Sequence, residues 1–198
     1  MAVDPPPAVR EQLAEWARGM VAASRGSGSR RGGLRPLSAQ SLHLTLCFLG
    51  SRPVGEIDAL AAALGDCEEH ACELSVGAPL WLPVRRPRAL AVEIHDRAGG
   101  LARVHAHVST ALADAGGWEP ERRRFRPHIT LVRIGRGALA ARGSRDDRSR
   151  REPQPQPLPA TPRLDFAPEA IVLYRSWLDP AGASYEPLAR SELVPAAR

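Results

Sequence analysis

Apolar residues recur along this 198-residue chain with two different periods, and these separate predicted helices from predicted strands. A return every three or four positions marks one face of a helix, whereas short alternating or continuous apolar runs are typical of strands. The first predicted helix carries a stripe of Val9, Leu13, Trp16 and Met20. The pattern predicts helices over residues 5–20, 54–65 and 99–117, and strands over residues 41–50, 72–83, 88–96 and 124–134.

The order of these elements favours an α+β fold. Helices and strands alternate irregularly, and residues 169–193 are predicted to form two strands around the turn signal DPAG. Such hairpin-like pairs favour antiparallel pairing over a doubly wound sheet. The length fits a single domain over residues 1–198. Residues 135–163 are charged, rich in proline and without periodic apolar positions, so we expect a flexible insertion there.

Composition narrows the function classes only slightly. Hydrophobic residues make up 43% of the chain, which suits a packed core, and aromatic residues make up 5%, which argues against rows of stacked aromatics for nucleic acid. The net charge is +5, and all 27 basic residues are arginine. An anionic partner such as RNA or a phosphate ester fits this charge, and so does a bias in codon composition.

Cysteine use and hydropathy together predict a cytoplasmic location. The three cysteines form no disulfide framework, the first residues lack the features of a signal peptide, and no apolar run approaches the roughly 20 residues of a membrane span.

Cys67, His70 and Cys72 lie close together in the chain. Their loose spacing and the lack of a second pair argue against a zinc site.

The tetrapeptides HLTL (residues 43–46) and HITL (residues 128–131) repeat one polar pair inside two apolar runs. Because side chains on a strand alternate between faces, His43 and Thr45 should share a face, as should His128 and Thr130. The same alternation places Cys47 and Arg126 on these polar faces. The opposite faces, which we expect to lie in the core, carry Leu42, Leu44, Leu46 and Phe48 in the first run and Pro127, Ile129 and Leu131 in the second.

Two such strands facing one cleft would supply two imidazoles and two hydroxyls. An ordinary imidazole pKa is about 6.5, so one ring can be neutral and the other protonated near neutral pH, as a base and an acid acting together require. Hydroxyls can donate to phosphoryl oxygens, and Arg126 or Arg133 could add charge-assisted hydrogen bonds. The chemistry that this set serves best is phosphoryl transfer without a metal ion.

The stretches SLHLTLCFLG and FRPHITLVRI resemble the two signature motifs of the 2H phosphoesterase superfamily, and most of all its RNA 2′,3′-cyclic phosphodiesterase branch, historically called 2′-5′ RNA ligases. DPPPAVREQLAEW, RRPRALAVEI and LYRSWLDPAGASYEPLARSEL are similar to that branch's first helix, central strand and closing hairpin. The resemblance implies a bilobal α+β fold, in which two pseudo-symmetric antiparallel sheets line a central cleft and helices lie outside.

The resemblance also implies an activity. His43 would protonate the departing ribose 3′ oxygen, His128 would activate water, and the RNA end would keep a 2′-phosphate. Thr45 and Thr130 would hold the phosphate with the help of Arg133. No cofactor is implied. The partners would be RNA ends or nucleotides carrying a cyclic phosphate, and we expect a monomer.

Several alternatives stay open at this point. The enzyme could act on small cyclic nucleotides or 2′-5′ oligonucleotides, it could also catalyse the reverse 2′-5′ ligation, or the fold could bind RNA without chemistry. Arg133 lies an odd number of positions from His128, so an ideal strand would point it away unless a bulge intervenes, whereas Arg126 has the matching parity. The short strand that usually precedes the first helix is either reduced to a remnant here or begins upstream, and the aromatic residue often found just before the first motif is absent.

Overall fold

A computed structural model describes residues 1–26, 33–65, 72–85, 87–115, 117–121, 123–135, 158–179 and 182–193. Most of the predicted insertion, residues 136–157, lies outside the described residues, as do Cys67 and His70.

Three α-helices lie within the described residues, close to where the apolar periodicity predicted them: α1 (Pro7–Gly26), α2 (Ile57–Gly65) and α3 (Gly100–Asp114). Proline at the first position of α1 suits a helix start, because that N–H would have no partner within the helix. The predicted stripe of α1 is largely buried, and the stripe of α3 is fully buried through Leu101, Val104, Val108 and Leu112. Short 3-10 turns precede the first motif and α2, at Ala39–Ser41 and Val54–Glu56.

Nine strands lie within the described residues: β1 (Ala2–Val3), β2 (Leu34–Pro36), β3 (Leu44–Thr45), β4 (Leu74–Leu82), β5 (Ala89–His95), β6 (His128–Ile134), β7 (Asp165–Phe166), β8 (Ala170–Asp179) and β9 (Gly182–Glu192). Their order in the sheet is β7-β4-β5-β6-β3-β1-β8-β9, and β2 pairs with β6. The pairings of this path are antiparallel, so the α+β prediction is confirmed. The strand that precedes the first helix has only two residues, Ala2 and Val3. It lies between β3 and β8.

The two halves of the sheet meet at β3 and β6. Leu44 is paired with Ile129 across this junction, and both side chains are 0% exposed. The resemblance implied two sheets, whereas this pairing joins the halves into one hydrogen-bonded path. Leu44 and Ile129 belong to the same buried cluster as Leu13 of α1 and Val104 of α3, so one core lies under both halves.

The strand predicted over residues 41–50 is much shorter than expected, and the prediction for Phe48 was wrong. Phe48 is 68% exposed rather than buried, and Cys47 is buried rather than on the polar face. The N–H groups of Leu46 and Cys47 both donate to the carbonyl oxygen of Met1, at 2.9 and 3.2 Å. Two successive donors on one acceptor are the pattern of a β-bulge, which breaks the alternation after Thr45.

Candidate active site

The register between β3 and β6 brings the two motifs together on one face of the sheet. Continuing the pairing of Leu44 with Ile129 by one residue in each direction places His43 opposite Thr130 and Thr45 opposite His128. Because the central pair is buried, these four side chains lie on the other face, which we call the cleft face. Typical sheet spacing separates directly opposite Cβ atoms by about 4.5–5.5 Å and diagonal neighbours, such as the two histidines, by about 7–8 Å.

Each histidine is held by the backbone of its own motif. His43 Nδ1 donates to the carbonyl oxygen of Ser41 at 3.0 Å, and His128 Nδ1 donates to the carbonyl oxygen of Arg126 at 2.8 Å. A carbonyl can only accept, so Nδ1 carries a proton in both rings. The nitrogen left for proton exchange is therefore Nε2 in both. In both motifs, the carbonyl group that orients the ring belongs to the residue two positions before the histidine. Either ring could act as a base or, when protonated, as an acid.

The environment of His43 works against its protonation. Burial is the largest influence and lowers its pKa below the ordinary 6.5. The hydrogen bond to the Ser41 carbonyl and the charge of Asp4 raise the pKa, and the charge of Arg133 lowers it. His43 is therefore mostly neutral at pH 7 in the unliganded protein.

Both tyrosines of the chain lie beside His43, which the sequence did not lead us to expect. The Tyr185 ring meets the His43 ring edge-on at 4.5 Å between centroids, and the Tyr174 ring lies at 5.7 Å. Tyr174 belongs to β8 and Tyr185 to β9, in the hairpin around DPAG. That hairpin was predicted, but its pairing with the rest of the sheet through β1 carries no local sequence signal.

A bulge turns Arg133 toward the cleft face. On β5, Leu90 is paired with Val132 but Ala91 with Thr130, so Leu131 has no partner of its own there. Leu131 and Val132 are both fully buried, which reverses the alternation and returns Arg133 to the side of Thr130. Its guanidinium is exposed yet close enough to influence the pKa of His43. Arg35 of β2 is paired directly with Arg133, so this end of the cleft face carries two arginines.

Arg126 has the matching parity but a different partner. Its guanidinium forms an ion pair and hydrogen bond with the carboxylate of Glu93. Glu93 is paired with His128 across β5 and β6, so the ion pair lies next to the second motif. The structure thus brings Arg133 to the His43 end of the cleft face and engages Arg126 with a carboxylate at the His128 end.

The described part of the chain shows neither a metal-binding cluster nor a membrane-spanning helix. There, no cluster of three or more histidine, cysteine or acidic side chains is arranged to hold a metal ion. Likewise, none of the helices built from described residues is long and apolar enough to cross a membrane. The cleft face does present two imidazoles of like orientation, two hydroxyls and a flanking arginine pair, a set suited to an anion and to proton transfer on either side of it.

Comparison with known proteins identifies the family of this chain. A family model described as LigT-like phosphoesterase matches residues 3–87. The RNA 2′,3′-cyclic phosphodiesterase of Escherichia coli K12 is 31% identical over 133 residues, which is 67% of this chain and 69% of that protein. A protein of the same name from Aeropyrum pernix is 34% identical over 104 residues, 51% of this chain and 57% of that one.

The fold extends the similarity over nearly the whole chain. The crystal structure of E. coli LigT complexed with 3′-AMP superimposes with a TM-score of 0.68 at 26% identity, covering 97% of this chain and 95% of that one. The family predicted from the two histidine motifs is confirmed: this chain belongs to the LigT-like phosphoesterases of the 2H phosphoesterase superfamily.

Proposed function

We propose that this protein hydrolyses the 2′,3′-cyclic phosphate at RNA ends to a 2′-phosphate, without a metal ion, through His43 and His128. The observation that carries the proposal is the register of β3 and β6, which sets each histidine opposite the threonine of the other motif. A phosphate bound between the two rows would have a hydroxyl and an imidazole on each side. The names of the two relatives support the substrate class.

The reaction balances with the groups present. The Nε2 atom of neutral His128 takes a proton from a water molecule as its oxygen attacks phosphorus. The bond from phosphorus to the ribose 3′ oxygen breaks, and that oxygen takes a proton from Nε2 of protonated His43. The product carries a 2′-phosphate and a 3′-hydroxyl, and exchange with solvent returns both imidazoles to their starting states. Thr45, Thr130 and Arg133 hold the non-bridging oxygens, whose charge develops during the attack.

The acid role of His43 depends on the substrate's charge. In the unliganded protein, burial lowers the pKa of His43, so the protonated ring is the minor form at pH 7. A cyclic phosphate is an anion, and an opposite charge within hydrogen-bonding distance favours the protonated imidazole. Binding of the substrate therefore promotes the state that the chemistry needs. For a substrate bound in the same orientation, exchanging the roles of the histidines would put the acid at the other ribose oxygen and leave a 3′-phosphate.

The test is an assay of the EDTA-treated protein with a short RNA ending in a 2′,3′-cyclic phosphate, together with identification of the product isomer. We expect a 2′-phosphate, and a loss of about 10²–10⁴-fold in kcat for His43→Ala and for His128→Ala. The matched control is His107→Ala, because His107 lines a groove between α2 and α3, away from the motifs. A 3′-phosphate product would contradict the proposed cleavage of the bond to the 3′ oxygen, and full activity of folded His128→Ala protein would refute the histidine mechanism.

The same assay separates the alternatives. Turnover of cyclic mononucleotides at least as fast as of short RNA would indicate a small-nucleotide phosphodiesterase. Tight binding of RNA ends with no turnover at any pH would indicate a binding module. A hydrolase that uses an acid and a base gives a bell-shaped pH profile of kcat/KM.

A further inference from the structure

Each of the two histidines has a carboxylate beside it in the sheet, Asp4 just after β1 and Glu93 on β5. Val3 of β1 is paired with Leu44 of β3, so the next residue along this register, Asp4, lies opposite His43. On the other side, Glu93 of β5 is paired with His128 of β6. The approximate twofold relation between the motifs therefore includes the flanking strands: a carboxylate in the same row of the cleft face accompanies each imidazole.

The two carboxylates differ in the groups that neutralise them. Glu93 forms an ion pair with Arg126, so its charge is largely compensated. Asp4 Oδ2 instead accepts a hydrogen bond of 2.6 Å from the Tyr174 hydroxyl, which is uncharged, and Arg10 lies at 4.0 Å. Arg190 of β9 also attracts Asp4, but its guanidinium is hydrogen-bonded to the carboxylate of Glu192. Asp4 Oδ1 is buried and has no hydrogen-bond partner among the described residues. More uncompensated negative charge therefore lies beside His43 than beside His128.

Tyr174 fixes this carboxylate and shields it. Burial and the neighbouring Asp4 raise the pKa of Tyr174, so its hydroxyl stays a donor throughout the neutral range. Its ring and that of Tyr185 cover His43 from the β8–β9 side. Excluding water from this side strengthens the attraction between Asp4 and a protonated imidazole, because charges interact more strongly where the dielectric constant is low.

Other charged groups also act on His43. Arg133 of β6 and the charged form of the Met1 amino group, just before β1, both lower its pKa, against Asp4, which raises it. Burial lowers the pKa of the Met1 amino group itself to about 6, so this group carries little charge at pH 7. The neighbouring imidazole of His128 would add repulsion if it were protonated at the same time. At pH 7, Asp4 is thus the carboxylate that opposes Arg133 and burial at this ring.

We propose that Asp4, held by Tyr174, is a positioning residue that biases the proton of the histidine pair toward His43, while Arg126 prevents Glu93 from doing the same for His128. This division of labour rests on the proposed function, since it makes His43 the acid. The effect of Asp4 on His43 is nevertheless a property of the unliganded protein and is measured without substrate.

The test is a titration of the histidine side chains by NMR in the wild type and in Asp4→Asn. We expect the midpoint of His43 to move to lower pH in Asp4→Asn, to stay closer to the wild type in Asp4→Glu, and to move in the Asp4→Asn direction, by less, in Tyr174→Phe. Asp58→Asn, on the exposed face of α2, is the matched control and should leave the His43 midpoint unchanged.

An unchanged His43 midpoint in folded Asp4→Asn protein would overturn the proposal. If Asp4→Asn does not fold, Tyr174→Phe keeps the carboxylate but removes its hydrogen bond, and an unchanged midpoint in that variant overturns the proposal equally. In the cyclic-phosphate assay, Asp4→Asn should lose up to about tenfold in kcat at pH 7, with the basic limb of the pH profile moved to lower pH. A wild-type protein that hydrolyses no cyclic phosphate would refute the proposed function, yet the titration would still decide the role of Asp4.

Discussion

Arg133 and Arg126 flank the second motif at similar distances in sequence, but the structure gives them different surroundings. Arg133 lies on the cleft face and acts on His43, whereas Arg126 is engaged by Glu93. We expect Arg133→Ala to lower kcat/KM by about 10- to 100-fold, because a hydrogen bond to a charged group contributes about 1.5–3 kcal/mol. Arg126→Ala should lower it by no more than about fivefold at pH 7, since an exposed ion pair contributes about 0.2–1 kcal/mol. Steady-state kinetics on the two variants decide between the arginines, and a larger loss for Arg126→Ala would reverse the assignment.

Phe48 is the residue whose position differs most from its sequence prediction, and its exposure suggests a contact with substrate. It comes three residues after Thr45, as Arg133 comes three residues after Thr130, and each is preceded by a pair of consecutive buried residues. We expect Phe48→Ala to raise KM by about 5- to 100-fold, because stacking of one base on an aromatic side chain contributes about 1–3 kcal/mol. Val54→Ala, at another exposed apolar residue, is the control. If the KM increase persists with an RNA whose last nucleotide lacks its base, stacking is not the cause.

At the scale of the elements, sequence alternation predicted the paired faces of His43, Thr45, His128 and Thr130 but not the orientation of the residues beyond each motif. The alternation of side chains depends only on the strand backbone. The sequence of a run such as HLTL therefore suffices to predict which side chains share a face. A bulge depends on where the partner strand's hydrogen-bonding groups lie, and those come from residues far away in sequence. For this reason, the sequence offered an inward-facing Arg133 only as one of two alternatives. For the same reason, the exposure of Phe48 was not predicted.

The β3–β6 junction is the element pairing on which the site depends most directly. Ile129 is fully buried opposite Leu44, and it holds His128 and Thr130 in register with the first motif. Ile129→Ala should lower the free energy of unfolding by about 2–5 kcal/mol, and Ile129→Val by about 0.5–1.5 kcal/mol. Urea denaturation measures both, with Val54→Ala, at 78% exposure, expected within about 0.5 kcal/mol of the wild type. Ile129→Ala protein as stable as Val54→Ala protein would show that Ile129 is not packed at the junction.

At the scale of the whole molecule, the α+β class could be predicted, but the continuity of the sheet could not. Local periodicity indicated the helices and most strands, because each element buries one face. The two-residue strands β1 and β3 are too short to show any period, yet they connect the β8–β9 hairpin to the rest of the sheet. The placement of Asp4, Tyr174 and Tyr185 around His43 results from these connections. Their assembly into one site is therefore a property of topology rather than of any one segment.

The same burial that shapes the site gives the whole molecule a pH-dependent stability. Burial lowers the pKa of His43 and of His105 relative to about 6.5 in an unfolded chain. Between the lowered values and about pH 6.5 the unfolded state binds more protons, so the free energy of unfolding falls on acidification and is recovered above that range. Urea denaturation from about pH 7.5 to about pH 5.5 should therefore show a shallower slope for His43→Ala than for the wild type, with Val54→Ala keeping the wild-type slope.

Equal slopes for His43→Ala and the wild type would contradict a buried, proton-poor His43. Inorganic phosphate provides the complementary measurement, because an anion bound beside His43 stabilises its protonated form as well as the fold. We expect added phosphate to raise the free energy of unfolding more at about pH 5.5 than at about pH 7.5, and to do so less in His43→Ala. If phosphate stabilised both proteins equally at both pH values, the anion would be bound without any coupling to the charge of this histidine.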